Sequence, residues 1–190
     1  GFAVVVGDVS GKGMKAAMTA IMADGILCAS AAQTKDITDI MNRVNRSLVN
    51  KTDRRDFVAM VIASFDGINL DFINSGLPDP VLRREDQVLS LAPDGPRLPP
   101  GVKMGQRFHT TRRPLQPGDV LVFCSDGVTE SMDRKRRLYG AQRLMRNLEE
   151  MDVSTLSAHE ILDTIVADVN AFMAGVEARM TSTLVVVKVA

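Results

Sequence analysis

Val4-Val5-Val6-Gly7-Asp8-Val9-Ser10-Gly11-Lys12-Gly13 is an apolar run that ends in a lone aspartate, a glycine-rich turn and the start of a helical pattern. Residues 2–6 read as a buried strand, because the apolar run is short and unbroken and is closed by a turn signal. An aspartate at the mouth of such a strand is costly unless something cationic meets it. The glycines that follow let the backbone approach a ligand closely. The design recurs at Val120-Leu121-Val122-Phe123-Cys124-Ser125-Asp126-Gly127. Two apolar strands, each delivering an aspartate at its end, point to one hard-metal site built from oxygen ligands. Taken singly, Asp8 or Asp126 reads equally well as a turn or N-cap aspartate. Gly11-Lys12-Gly13 also invites comparison with a nucleotide-binding P-loop, which needs four residues between its first Gly and the Gly-Lys pair, then Ser or Thr. Here three residues separate Gly7 from Gly11, and Gly13 takes the hydroxyl position. Phosphate cradling at the helix N-terminus stays open, but the full motif is absent.

Outward from these two units the chain alternates paired strands and runs of helix. Met14, Ala17, Met18, Ile21, Gly25 and Cys28 share one helical face, read as a Met-rich core stripe. Asp36 is placed to cap a second helix, with Ile37, Ile40, Met41, Val44 and Leu48 on its apolar face. Residues 50–56 are polar and charged and read as a loop. A buried strand is expected over 57–65, a turn at Asp66-Gly67, and an alternating strand through Ile68, Leu70 and Phe72. Short strands follow at 81–83 and 87–91, then a Pro- and Gly-rich loop over 92–105. Pro117-Gly118-Asp119 turns into the strand 120–124, helices are expected over 140–150 and 157–173, and a last strand over 183–189. Strands joined by turns, with the helices in separate runs, favour an α+β fold with antiparallel sheets and helices packed outside them.

The chain has 190 residues, enough for one domain with a real core. Its 23 basic and 23 acidic residues cancel, so no bulk field draws in nucleic acid or membrane. Arg112-Arg113 and Arg134-Lys135-Arg136-Arg137 are short basic runs, read as solvated face or loop. Cys28 and Cys124 lie in apolar surroundings and read as buried thiols without a zinc site. No uninterrupted apolar run reaches the ~18 residues of a membrane span, and no basic-then-apolar leader opens the sequence, so the cytoplasm is expected. The chain opens inside a strand, at Gly1-Phe2-Ala3-Val4, and material is expected upstream.

Four segments in order carry a family resemblance: Gly7-Asp8-Val9-Ser10-Gly11-Lys12-Gly13, Phe72-Ile73-Asn74-Ser75-Gly76, Pro117-Gly118-Asp119 leading into Ser125-Asp126-Gly127-Val128-Thr129-Glu130, and Leu138-Tyr139-Gly140 through Leu144. Together they resemble the metal-dependent serine/threonine phosphatases of the PPM (protein phosphatase 2C) family, in the bacterial SpoIIE/RsbU-type branch. The resemblance implies one phosphatase domain over 1–190 with its N-terminal segment missing. It implies two mainly antiparallel β-sheets packed as a sandwich with helices on the outer faces. It further implies Mn²⁺- or Mg²⁺-dependent hydrolysis of phosphoserine or phosphothreonine without a covalent intermediate. Asp8 would bridge two metals, the Val9 carbonyl would ligate one, and Asp126 the other. The implied partners are a phosphorylated STAS-domain anti-anti-sigma protein and an upstream sensor or receiver domain, with a homodimer among the assemblies allowed.

Three departures bear on catalysis. The family closes with Asp-Asp-x-Thr, whose first Asp ligates metal, whereas the matching stretch here is Met180-Thr181-Ser182-Thr183. A thioether does not replace a carboxylate on Mg²⁺ or Mn²⁺, and Glu177 would need a shift of about one turn to serve. The family's upstream Gly-Gly-Asp segment precedes the first residue of this chain. Leu77 stands where many relatives have His. Two readings therefore stand together: a phosphatase working through Asp8 and Asp126, and a pseudophosphatase adaptor serving as a response-regulator output domain.

Overall fold

The computed structural model describes residues 1–51, 57–177 and 180–190. The element order is β1 (Phe2–Val9), α1 (Met14–Ala31), α2 (Ile37–Val49), β2 (Val58–Phe65), β3 (Asn69–Ser75), β4 (Val81–Arg84), β5 (Gln87–Ser90), β6 (Thr111–Pro114), β7 (Val120–Cys124), α3 (Asp126–Thr129), α4 (Gly140–Glu150), α5 (Ala158–Met173) and β8 (Leu184–Lys188). All sheet pairings are antiparallel, in two four-stranded sheets, β1-β2-β3-β6 and β5-β4-β7-β8. The α+β class and the two antiparallel sheets agree with the expectation. The chain divides into two compact units, Gly1–Leu77 with Pro93–Pro114, and Pro78–Ala92 with Leu115–Ala190.

The first unit holds the sheet β1-β2-β3-β6. Its core joins Ala23 of α1, Met41, Val44 and Leu48 of α2, and Val58, Met60 and Ile62 of β2. Asp36 caps α2, accepting from the backbone of Thr38 at 2.8 Å and Asp39 at 3.4 Å, so the predicted helix start is observed. At the β2–β3 turn, the Asp66 carboxylate accepts from the backbone of Ile68 at 2.8 Å and Asn69 at 2.6 Å. Those two bonds draw its pKa down to about 2. Ile68 itself is exposed in the turn, and β3 begins one residue later.

The second unit holds the sheet β5-β4-β7-β8 with α3, α4 and α5. Its core joins Val120, Val122 and Cys124 of β7 with Leu144 and Leu148 of α4 and Ile161 and Ile165 of α5. Ser157 and Glu160 form a capping box that starts α5. Buried Arg83 donates to the carbonyls of Leu148 and, at 2.8 Å, Glu149, satisfying acceptors at the α4 C-terminus.

Two sequence expectations need correction, the core stripe on α1 and the buried Cys28. The α1 stripe is not core: Met14, Met18 and Ile21 are 78%, 64% and 74% exposed. The helix is apolar round its circumference, so periodicity selects no face, and Ala23, Thr19 and Ser30 are turned inward instead. Cys28 lies on the same outer face and is exposed, whereas Cys124 is buried. Burial, with the nearby Asp126 charge, pushes the Cys124 thiol up to about 12, so it stays a protonated packing group. Among the described residues α1 is the one helix long and apolar enough to cross a membrane, by a measure of length and composition that core helices also meet. Arg112-Arg113 belongs to an edge strand, β6: Thr111 points inward, and Arg112 makes a bidentate pair with Asp71 of β3 at 2.6 Å. Of the loop read over 50–56, Asn50 and Lys51 are turn residues after α2, as read, and residues 52–56 lie outside the described residues.

Candidate metal centre

In the first unit Asp8 and Val9 are the last two residues of β1, paired with Ala59 and Val58 of β2. Both are half-buried. The strand ends here because Ser10 closes the ladder on Phe57. The Ser10 backbone donates to the Phe57 carbonyl at 3.0 Å, and the Phe57 backbone donates to Ser10 Oγ at 2.9 Å. Gly11 and Gly13 then take φ of 95° and 78°, a region that favours glycine. Gly13 is the N-cap of α1, whose first turn carries no acidic side chain. Asp8 is thereby fixed on a strand end, followed by a turn in which, among the described residues, nothing lies within 4 Å of where a Cβ at Gly11 or Gly13 would sit.

In the second unit Asp126 opens α3 directly after β7, with Ser125 at the N-cap. The Asp126 carbonyl accepts from the Glu130 backbone at 2.7 Å. The closing segment Thr181–Thr183 is tied to this turn. Ser125 Oγ accepts from the Thr183 backbone at 3.0 Å and reaches the Thr181 carbonyl at 3.4 Å, while the Ser125 backbone donates to the Thr183 carbonyl at 3.0 Å. Gly127 completes the seat: a Cβ there would lie 2.8 Å from the Thr181 carbonyl carbon and overlap its oxygen. A cavity beside α3 is lined by Gly127, Glu130, Ser131, Met132, Glu177 and Met180, among others. Glu177 and Met180 thus share one cavity wall with the turn that carries Asp126.

Each unit offers oxygen donors of the kind a hard divalent cation takes: the Asp8 carboxylate and the Val9 carbonyl in the first, the Asp126 carboxylate in the second. Among the described residues no group of three or more His, Cys, Asp or Glu side chains is gathered for a metal. Met180, exposed on the cavity wall, offers sulfur where the resemblance implies a carboxylate.

Asn74 has a structural task. Its amide donates to the Leu77 carbonyl at 3.0 Å and accepts from the Leu77 backbone at 3.1 Å, closing the turn after β3. Leu77, at the position where many relatives carry His, is a buried apolar side chain. In the sequence, Ser125 and Gly127 are legible only as parts of a motif. Their roles are to bind and admit the Thr181–Thr183 backbone. Two small residues flanking an aspartate after an apolar strand were the available signal.

The family model for Stage II sporulation protein E (SpoIIE) matches residues 1–189. Protein IcfG of Synechocystis sp. is 26% identical over 86% of this chain and 30% of its own length. The PP2C phosphatase domain of SpoIIE from Bacillus subtilis, solved with a fragment of its regulatory domain, superposes with a TM-score of 0.80. That match is 21% identical and covers 98% of this chain and 54% of the other. The catalytic domain of the serine/threonine phosphatase PstP, solved with two manganese ions, superposes with a TM-score of 0.65. It is 14% identical and covers 97% of this chain and 85% of the other. The chain therefore spans under a third of IcfG and about half of the SpoIIE chain. With the PP2C-like fold shared and the family model covering all but the last residue, this chain belongs to the SpoIIE family of PP2C-like phosphatase domains.

Proposed function

We propose that residues 1–190 form one catalytic domain of a Mn²⁺- or Mg²⁺-dependent protein serine/threonine phosphatase. Its proposed substrate is a phosphorylated STAS-type regulatory protein, and a sensor or receiver domain controls it from upstream, in the cytoplasm. The observation that carries this reading is the pair of aspartates at the ends of apolar strands: Asp8 in the last two residues of β1, ahead of the Gly11–Gly13 turn, and Asp126 two residues after β7, at the start of α3. Family membership and the manganese held by PstP support the cofactor.

Asp8, the Val9 carbonyl and Asp126 would hold the cation. A bound divalent ion lowers the pKa of a coordinated water and neutralises phosphoryl charge. The residues of this chain supply position. The β1 ladder and Ser10 fix Asp8, and the Ser125 clamp fixes the turn that carries Asp126.

A second reading, an adaptor of the same fold that binds its partner without turnover, is favoured by Met180. Manganese titration by calorimetry, with phosphoserine-peptide hydrolysis in the same buffer, separates the two. Binding and turnover that are both lost in Asp126→Asn establish the phosphatase. Binding of the phosphoprotein with neither metal uptake nor turnover establishes the adaptor.

A further inference from the structure

The loop from Asp133 to Arg137 carries four cationic side chains on consecutive residues, and all four are exposed. Its backbone is built, not loose. Met132 and Leu138 form a β-bridge at its base. Inside that bridge the buried Asp133 carboxylate accepts from the Lys135 backbone at 2.8 Å, the Arg137 backbone at 2.9 Å and Arg137 Nε at 2.7 Å. The Arg136 backbone donates to the Asp133 carbonyl at 2.9 Å, and Arg136 takes a left-handed φ of 61°. The loop's only anion is therefore spent on holding its shape and on Arg137. Arg134, Lys135 and Arg136 are exposed, and so is Leu138 at the end of the loop.

In a chain whose charges cancel overall, such a local excess is a recognition feature rather than a bulk field. We propose that this loop docks an acidic segment of the phosphoprotein substrate, with Leu138 supplying an apolar contact at its edge. The inference rests on the phosphatase reading for its choice of partner: α3, opened by Asp126, ends at Thr129, and the chain continues through Glu130, Ser131 and Met132 directly into the loop. A protein is favoured over a single-stranded nucleic acid because residues 133–138 contain no aromatic ring to stack a base.

The test uses the full-length protein with Mn²⁺ and three probes. These are p-nitrophenyl phosphate, a phosphoserine peptide flanked by Asp and Glu, and the same peptide with neutral flanks. The wild type is expected to favour the acidic peptide about tenfold in KM, an advantage that fades with salt. The triple variant Arg134→Ala/Lys135→Ala/Arg136→Ala is expected to lose that preference while keeping its rate on p-nitrophenyl phosphate. Equal KM values for the two peptides, or a preference that survives in the variant, overturn the docking role. If p-nitrophenyl phosphate itself is not turned over, the catalytic reading fails separately. Fluorescence anisotropy of the labelled acidic peptide then decides the loop: about tenfold weaker binding by the variant supports docking, and unchanged binding overturns it. Loss in the variant of binding to phosphatidylglycerol vesicles or to oligonucleotide, with the peptide unbound by either protein, also overturns it.

Discussion

Ser125 and Thr183 exchange two hydrogen bonds, backbone to carbonyl at 3.0 Å and backbone to hydroxyl at 3.0 Å. The residue before Asp126 is thus stitched to the residue before the last strand. Removing the hydroxyl leaves the Thr183 N–H without its acceptor. Ser125→Ala is expected to cost about 1–2 kcal/mol in chemical denaturation. Weaker Mn²⁺ binding should accompany it, because the Asp126 turn loses its brace. Unchanged stability and unchanged metal affinity would refute the clamp.

Gly127 packs against the same segment at Thr181. A methyl group there meets Thr181 main chain, which cannot rotate away as a side chain would. Gly127→Ala is expected to destabilise by roughly 1–3 kcal/mol through overpacking, read as a lowered Tm. A neutral effect would show that the Thr181 segment is free to shift.

Met180 lines the cavity beside α3 together with Glu130 and Glu177. If sulfur at this position limits the cation site, Met180→Asp should tighten Mn²⁺ binding, by about tenfold for one added carboxylate. Calorimetry on the variant and the parent measures it. No gain would mean that position 180 does not reach the cation.

Tyr139 donates to Asp168 at 2.7 Å, and Arg143 donates to the same carboxylate at 3.1 Å and 2.7 Å, tying α4 to α5. Arg143 also lies 5.4 Å and 4.8 Å from the ring centres of Tyr139 and Phe172. The Arg143 hydrogen bonds, opposed by burial and assisted by the Tyr139 hydroxyl, hold the Asp168 carboxyl below the usual range. A depressed folded pKa stabilises fully above the unfolded value of about 3.9 and is lost as pH falls through the folded one. Asp168→Asn is therefore expected to cost about 1–2 kcal/mol at pH 7. Its deficit should shrink steadily below about pH 4. A deficit independent of pH would remove the carboxylate from the account.

The outer face of α1 sets a contrast with the core of its own unit. Met18→Glu should change folding stability by no more than about 0.5 kcal/mol, because the side chain is already in water. Met41→Ala, on the buried face of α2, should cost about 2–5 kcal/mol. Urea unfolding of the two variants compares them, and a large loss for Met18→Glu would return that stripe to the core.

The amphipathic elements could be read from local order. α2 and α4 carry their apolar residues on one face, and the Asp36 cap and the Ser157–Glu160 box are local hydrogen-bond devices, so each start is written in a few neighbouring residues. The strand–aspartate–glycine units were legible for the same reason: a buried run, a carboxylate and a turn lie within ten residues of one another. α1 was not legible in orientation, because a helix apolar on every side carries no signal for which face is covered. β6 was hidden because an edge strand of four residues with two arginines has no period to show. Its strand character comes from backbone pairing with β3, some forty residues away, where Asp71 and Arg112 also meet side chain to side chain. The clamp of Ser125 and Gly127 on Thr181–Thr183 likewise joins residues more than fifty positions apart. Only chain folding decides such a contact, since its energy lies in a backbone hydrogen bond and a close approach that no local pattern encodes.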